Sequence, residues 1–277
     1  MSPRVFANLL APAIAALVLA PAFAQTIEFT VLDKGVLEQR LRLASPKVAE
    51  RFTRLRQLFH DTGCTDPALR EQKVPRSKEP NLICDVPGTG QSPNKILVGA
   101  HYDSAGGDGV IDNWTGAILM PSLSEFIRAK PRRHAFEFIG FAAEERGLWG
   151  STHYLRELKG ESRRQVAAVV AMDSLGLTST KVWPNSSTNE LMNAAAILAA
   201  SMKLPLAGVN VDAAGTTDSM VFKQAGMPVL SLHSVTQETL PLINSKQDVW
   251  KSLSWQDYYD TNRFISALLV YLDETLP

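Results

Sequence analysis

Six side chains of this 277-residue sequence have the types and spacing for metal chemistry: His101 with Asp103 two residues on, Asp112, the adjacent pair Glu144-Glu145, and Asp173. Zinc accepts imidazole nitrogen and carboxylate oxygen, and a catalytic zinc site keeps one position open for water. Asp103 is placed to accept the other ring N–H of His101 and so fix its tautomer. Neighbouring residues leaving a strand point in different directions. One carboxylate of Glu144-Glu145 can therefore bind metal while the other meets a water beside it. Each feature alone is common: a surface His-x-Asp, a solvated acidic pair, an Asp capping a helix. Their joint occurrence is what points to a metal site.

For these groups to meet, each must leave the same edge of one sheet. Short apolar runs at 81–86, 95–100, 135–141, 166–172 and 228–232 are bounded by turn residues and read as buried strands. The run 95–100 ends in His101-Tyr102-Asp103, 135–141 leads to Glu144-Glu145, and 166–172 ends in Asp173. Asp112 lies in a turn that enters a helix. Helical spacing marks 35–60, 114–130, 147–159, 187–203, 215–226 and 254–274. Strands alternating with helices predict an α/β fold, a sheet covered by helices on both faces. In such sheets, sites collect at the carboxyl ends of the strands.

No G-x-S-x-G elbow, H-E-x-x-H helix, P-loop or G-x-G-x-x-G turn is present. The motifs from about residue 81 to 248 resemble the co-catalytic zinc aminopeptidases, peptidase family M28, which also embraces the glutaminyl cyclases. They are His101-x-Asp103, Asp112-Asn113-x-x-Gly116, Glu144-Glu145, Asp173, and Gly215-Thr216-Thr217-Asp218 followed by Gly226-Met227-Pro228. The resemblance implies a mixed, mostly parallel sheet between helices, in three layers, and two zinc ions. By the same resemblance, Asp112 bridges the metals, His101 and Asp173 complete the first site, and Glu145 binds the second. Glu144 is the general base and Asp103 orients His101. The family's last ligand is a His in a His-Ser-x-x-Asp stretch. Here that stretch is Asn244-Ser245-Lys246-Gln247-Asp248, so Asn244 stands in the ligand position. His233, the last histidine of the chain, is the alternative ligand. An Asn carbonyl binds zinc weakly, which leaves the second site weak, filled by another metal, or empty.

The implied activity is zinc-dependent removal of N-terminal residues from peptides or small amides. Two alternatives stay open. One is a glutaminyl cyclase-like acyltransferase, and the other a catalytically silent binding domain with a degraded second site. A balance of 28 Lys+Arg against 28 Asp+Glu lacks the basic excess that holds nucleic acid or anionic lipid. Residues 1–24 read as a signal peptide, with Arg4, an apolar stretch at 9–19 and Ala22-Phe23-Ala24 at the cleavage point. Residues 25–277 then form one catalytic domain in a secreted or periplasmic protein, with no later run of the roughly 18 apolar residues a membrane span needs. In an oxidising compartment Cys64 and Cys84 read as a disulfide, worth about 3 kcal/mol in the chain-entropy model; the alternative is two free thiols.

Overall fold

The computed structural model describes residues 28–277, so the proposed signal peptide at 1–24 lies outside the described residues. The strands are β1 (Leu69–Gln72), β2 (Asn81–Val86), β3 (Lys95–His101), β4 (Ala135–Phe141), β5 (Val166–Met172), β6 (Lys181–Val182), β7 (Ala207–Gly208) and β8 (Val229–His233). The helices are α1 (Lys34–Leu41), α2 (Val48–Asp61), α3 (Thr115–Arg128), α4 (Trp149–Glu157), α5 (Gly160–Arg164), α6 (Asn189–Met202), α7 (Asp218–Gln224) and α8 (Trp255–Thr275). All eight strands join one sheet in the order β1-β2-β4-β3-β5-β8-β6-β7. The central four, β4, β3, β5 and β8, run parallel, and antiparallel pairings flank them at β2 and β6. The expected mixed α/β sheet is therefore present.

The pleat divides the core into two. On β3, Ile96, Val98 and Ala100 point to the face covered by α1, α2, α3, α6 and α8. Leu97 points to the other face, with Ile139, Val169, Tyr154 and Phe222 under α4 and α7. Such two-sided burial explains why the central strands are apolar throughout rather than alternating. α3 is buried almost all round, and Tyr258 of α8 donates to the Thr115 carbonyl at its start, 2.8 Å away.

The single helical stretch expected over 35–60 is two helices. Pro46 disfavours helical geometry at Ser45, and the chain leaves α1 at Leu41 and restarts α2 at Val48. Cys64 and Cys84 form a disulfide, tying the segment after α2 to the middle of β2. Among the described residues, no helix is long and apolar enough to cross a membrane.

Candidate active site

The parallel strands deliver their ends to one place. β3 terminates in His101, β4 runs into Glu144-Glu145, and β5 into Asp173. His101 Nε2 lies 3.1 Å from Asp112 Oδ1 and 3.6 Å from Asp173 Oδ1, and all three groups are largely buried. His101 also gathers with Glu144 and Glu145, with one donor atom from each within 4.8 Å of the others. The six residues singled out by spacing thus converge, although they come from four separate segments.

Each is held by a local device. Asp112 sits in a tight turn, Val110–Trp114, and its peptide bond to Asn113 is cis. Both oxygens of Asp248 accept backbone N–H groups there, from Ile111 at 2.5 Å and Asp112 at 3.0 Å. Asn113 donates to the Met172 carbonyl at 2.8 Å, and its own oxygen accepts from Gly116 N and Ser174 N, locking the turn to the end of β5. Gly116 is needed there because a Cβ would meet Asn113 Oδ1 at 2.6 Å and the Met172 carbonyl at 2.9 Å. Asp173 accepts from Ser174 Oγ at 2.9 Å and Thr217 Oγ1 at 2.8 Å. Asn81 fixes the exit of β4 by accepting from Ala142 N.

The expected orienting hydrogen bond between His101 and Asp103 is not made in this structure. Asp103 Oδ1 lies 3.4 Å from Nδ1 of His101, long for a hydrogen bond. Its hydrogen bonds are accepted from the backbone N–H groups of Glu144 and Glu145, at 3.1 and 3.2 Å. Asp103 therefore ties the two strand ends together.

Asn244 and His233 both line the small cleft over the acids, a cavity of about 60 Å³. Asn244 has a left-handed backbone, φ 56°, which Asn tolerates. His233 is engaged on both ring nitrogens: Nδ1 accepts from Val235 N at 3.1 Å, so Nε2 carries the proton and lies 3.0 Å from the Val209 carbonyl. The ring's one lone pair, on Nδ1, is thereby taken and is not left for a metal. Trp183, Val211, Val235 and Ile243 are the apolar residues of the cleft lining. A larger cavity of about 520 Å³, at the opposite edge of the sheet around Phe126 and Lys130, includes none of these groups.

Burial dominates the electrostatics. It pushes the Glu144 carboxyl up to about 10, assisted by Asp218, Asp173 and Asp112 and opposed by His101. Glu145 and Asp218 rise to about 7, again chiefly by burial. Burial would lower His101, but the nearby carboxylates of Glu144, Asp103, Asp112 and Asp173 raise it well above its ordinary value. Asp173, despite burial, is held below the usual carboxylate range by His101, Thr217 and Ser174. Left to themselves, these groups share protons. A divalent cation is the natural replacement for that positive charge.

A pH dependence follows. A carboxyl raised on folding stabilises fully below its unfolded pKa, near 4, and that contribution is lost as pH rises through the folded value. For Glu145 and Asp218 the loss spans about pH 4 to 7; for Glu144 it continues towards 10. The raised His101 acts in the same direction. Zinc should therefore raise Tm more at about pH 7.5 than at about pH 5.5, as differential scanning fluorimetry of metal-free and zinc-loaded protein would record. An equal shift at both values would contradict the proton-sharing account.

A mixed parallel sheet with imidazole and carboxylates converging at its carboxyl edge defines the class of zinc-exopeptidase-like α/β proteins. The profile of peptidase family M28 matches residues 81–269, and the chain belongs to that family. Aminopeptidase YwaD of Bacillus subtilis is 24% identical over 194 residues, covering 63% of this chain and 40% of the relative. The chain spans less than half the length of that curated relative. The solved structure of the Legionella pneumophila LapA aminopeptidase aligns at TM-score 0.68 and 19% identity, covering 92% of this chain and 79% of that one. A glutaminyl cyclase from an Acidobacteriales bacterium aligns at TM-score 0.70 and 15% identity, covering 96% and 99%.

Spacing alone missed several supporting groups. Thr217 lay inside a motif without an evident task, and its hydroxyl orients Asp173. Arg51, outside every motif, lies beneath the site. The signal for it was its place on the apolar face of α2, one turn before Leu55 and two before Leu58.

Proposed function

We propose that this chain is a secreted or periplasmic zinc-dependent exopeptidase that hydrolyses N-terminal peptide bonds, with residues 25–277 as one catalytic domain. The observation that carries the reading is the convergence of His101 Nε2 with Asp112 Oδ1 and Asp173 Oδ1 at 3.1 and 3.6 Å, facing the Glu144-Glu145 pair. One imidazole and several carboxylates form a donor set that zinc accepts. So many buried carboxylates in one cleft are costly without a cation. His101, Asp112 and Asp173 would hold the first zinc. Asp112 and Glu145, with a weak contribution from Asn244, would hold the second. His233 is left out because its ring is engaged on both sides.

Zinc, when bound, supplies a Lewis acid for the scissile carbonyl and lowers the pKa of water towards neutrality. Glu144 takes the proton from the attacking water and returns it to the leaving amine. Asp103 keeps Glu144 and Glu145 in register by holding both of their backbone N–H groups. Trp183, Val211, Val235 and Ile243 supply apolar surface to the cleft beside the acids.

The end-to-end overlap with a glutaminyl cyclase structure favours the cyclase as the second reading. By the family resemblance, however, the cyclase's zinc ligands would match Asp112, Glu145 and the histidine that Asn244 replaces, so its only metal site is the weakened one. Product analysis separates the two. Chelator-sensitive release of a free amino acid from aminoacyl-anilides or short peptides is the expected result. Ammonia and a cyclised product from Gln-peptides, without cleavage, would reverse the assignment.

A further inference from the structure

Arg51 lies on α2, outside the stretch matched by the family profile, and its side chain is fully buried. All five of its hydrogen bonds go to backbone carbonyls. Nε donates to Tyr102 O; Nη1 donates to Ser45 O at 3.3 Å and to Asp108 O and Gly109 O at 3.0 Å; Nη2 donates again to Gly109 O at 3.0 Å. The guanidinium packs 5.1 Å from the centre of the Trp114 ring. Tyr102 stands between His101 and Asp103, and Gly109 stands three residues before Asp112. One side chain thus grips both segments that bring these residues to the cleft.

Asp103, Asp112, Asp248 and Glu145 favour the charged form of this buried guanidinium, but charge alone does not explain its place. A buried cation beside a site for another cation opposes metal binding by simple Coulomb repulsion. What Arg51 supplies is a rigid fork of directed donors. Tyr102, Asp108 and Gly109 turn their carbonyls inward, and each would cost about 1–3 kcal/mol if left without a donor. A lysine keeps the charge but offers one nitrogen, which cannot span Tyr102 O and Gly109 O together. Gly109 is shaped to the same contact. Its φ is +57°, and a Cβ there would lie 2.8 Å from Arg51 Nη1 and 2.2 Å from Ser104 Oγ.

We propose that Arg51 is a positioning residue of the metal centre, clamping the His101/Asp103 segment to the Asp112 turn at the separation that zinc coordination requires. The inference rests on the zinc reading given above. Its test is zinc affinity by competition with a chromophoric chelator, together with the visible d–d spectrum of the cobalt-substituted protein. Wild type, Arg51→Lys and Gly109→Ala are compared, with the Tm of each metal-free protein as the folding control. Arg51→Lys should lose about 10- to 100-fold in zinc affinity, the scale on which groups supporting metal ligands act. Its cobalt spectrum should shift, and its metal-free Tm should fall by about 2–4 °C for each kcal/mol of hydrogen bonding that lysine does not replace, with cooperative unfolding retained. Should Arg51→Lys fail to fold, Gly109→Ala, whose Cβ would meet Ser104 Oγ at 2.2 Å and Arg51 Nη1 at 2.8 Å, is expected to show the same loss and shift. Wild-type affinity and an unshifted cobalt spectrum in a folded variant would overturn the positioning role alone. Absence of zinc binding by the wild type would overturn the zinc reading and this one with it.

Discussion

Glu144→Gln is expected to lower kcat for release of an N-terminal residue by about a thousandfold, within the usual range for a general acid–base group. Glutamine fills the same space and can keep the backbone contacts to Asp103, which involve the Glu144 N–H and not its side chain. It cannot take a proton from water or return one. Glu144 is not among the three donors that meet at His101 Nε2, so zinc content should be unchanged. Steady-state kinetics at matched metal content checks this, and undiminished turnover would remove Glu144 from the mechanism.

The second large effect concerns Asn244. It lines the cleft beside Glu145 and Asp112 and has a left-handed backbone, which His also adopts more readily than most residues. Asn244→His replaces a weak carbonyl donor by an imidazole, the donor zinc prefers. The second zinc equivalent is expected to tighten on the order of a hundredfold, while the first, held by His101, Asp112 and Asp173, stays where it was. Competition titration with a chelator resolves the two equivalents. A second equivalent already as tight in the wild type would mean that the Asn244 carbonyl serves as a full ligand.

Much of this site was legible because its residues sit at the ends of apolar strands. The runs at 135–141 and 166–172 match β4 and β5 at both ends, and placing their acids at one sheet edge needed only the parallel topology. The run at 95–100 stops one residue short of β3, since His101 is polar yet stays in the sheet. The run at 228–232 is one residue out of step with β8, which starts at Val229 and takes in His233. β1 went unread because three of its four residues are polar, as suits an edge strand exposed on one side, and β6 and β7 are two residues each. The supporting contacts were hidden for another reason. Asp248 reaches Ile111 and Asp112 across more than 130 residues, Thr217 reaches Asp173 across 44, and Arg51 reaches Tyr102 across 51. Periodicity carries no record of such distant contacts. His233 shows the converse: a histidine at a strand end invites a ligand reading, until its two backbone partners use both ring nitrogens.

His101, Asp112 and Asp173 are expected to form the zinc centre at which hydrolysis occurs. Titrating metal-free protein with zinc while following bound metal and aminoacyl-anilide hydrolysis together tests it most directly. No hydrolysis is expected without metal, and activity should appear with the first tightly bound equivalent. Hydrolysis by the metal-free protein, or a first equivalent unaffected by Asp173→Ala, would contradict that assignment.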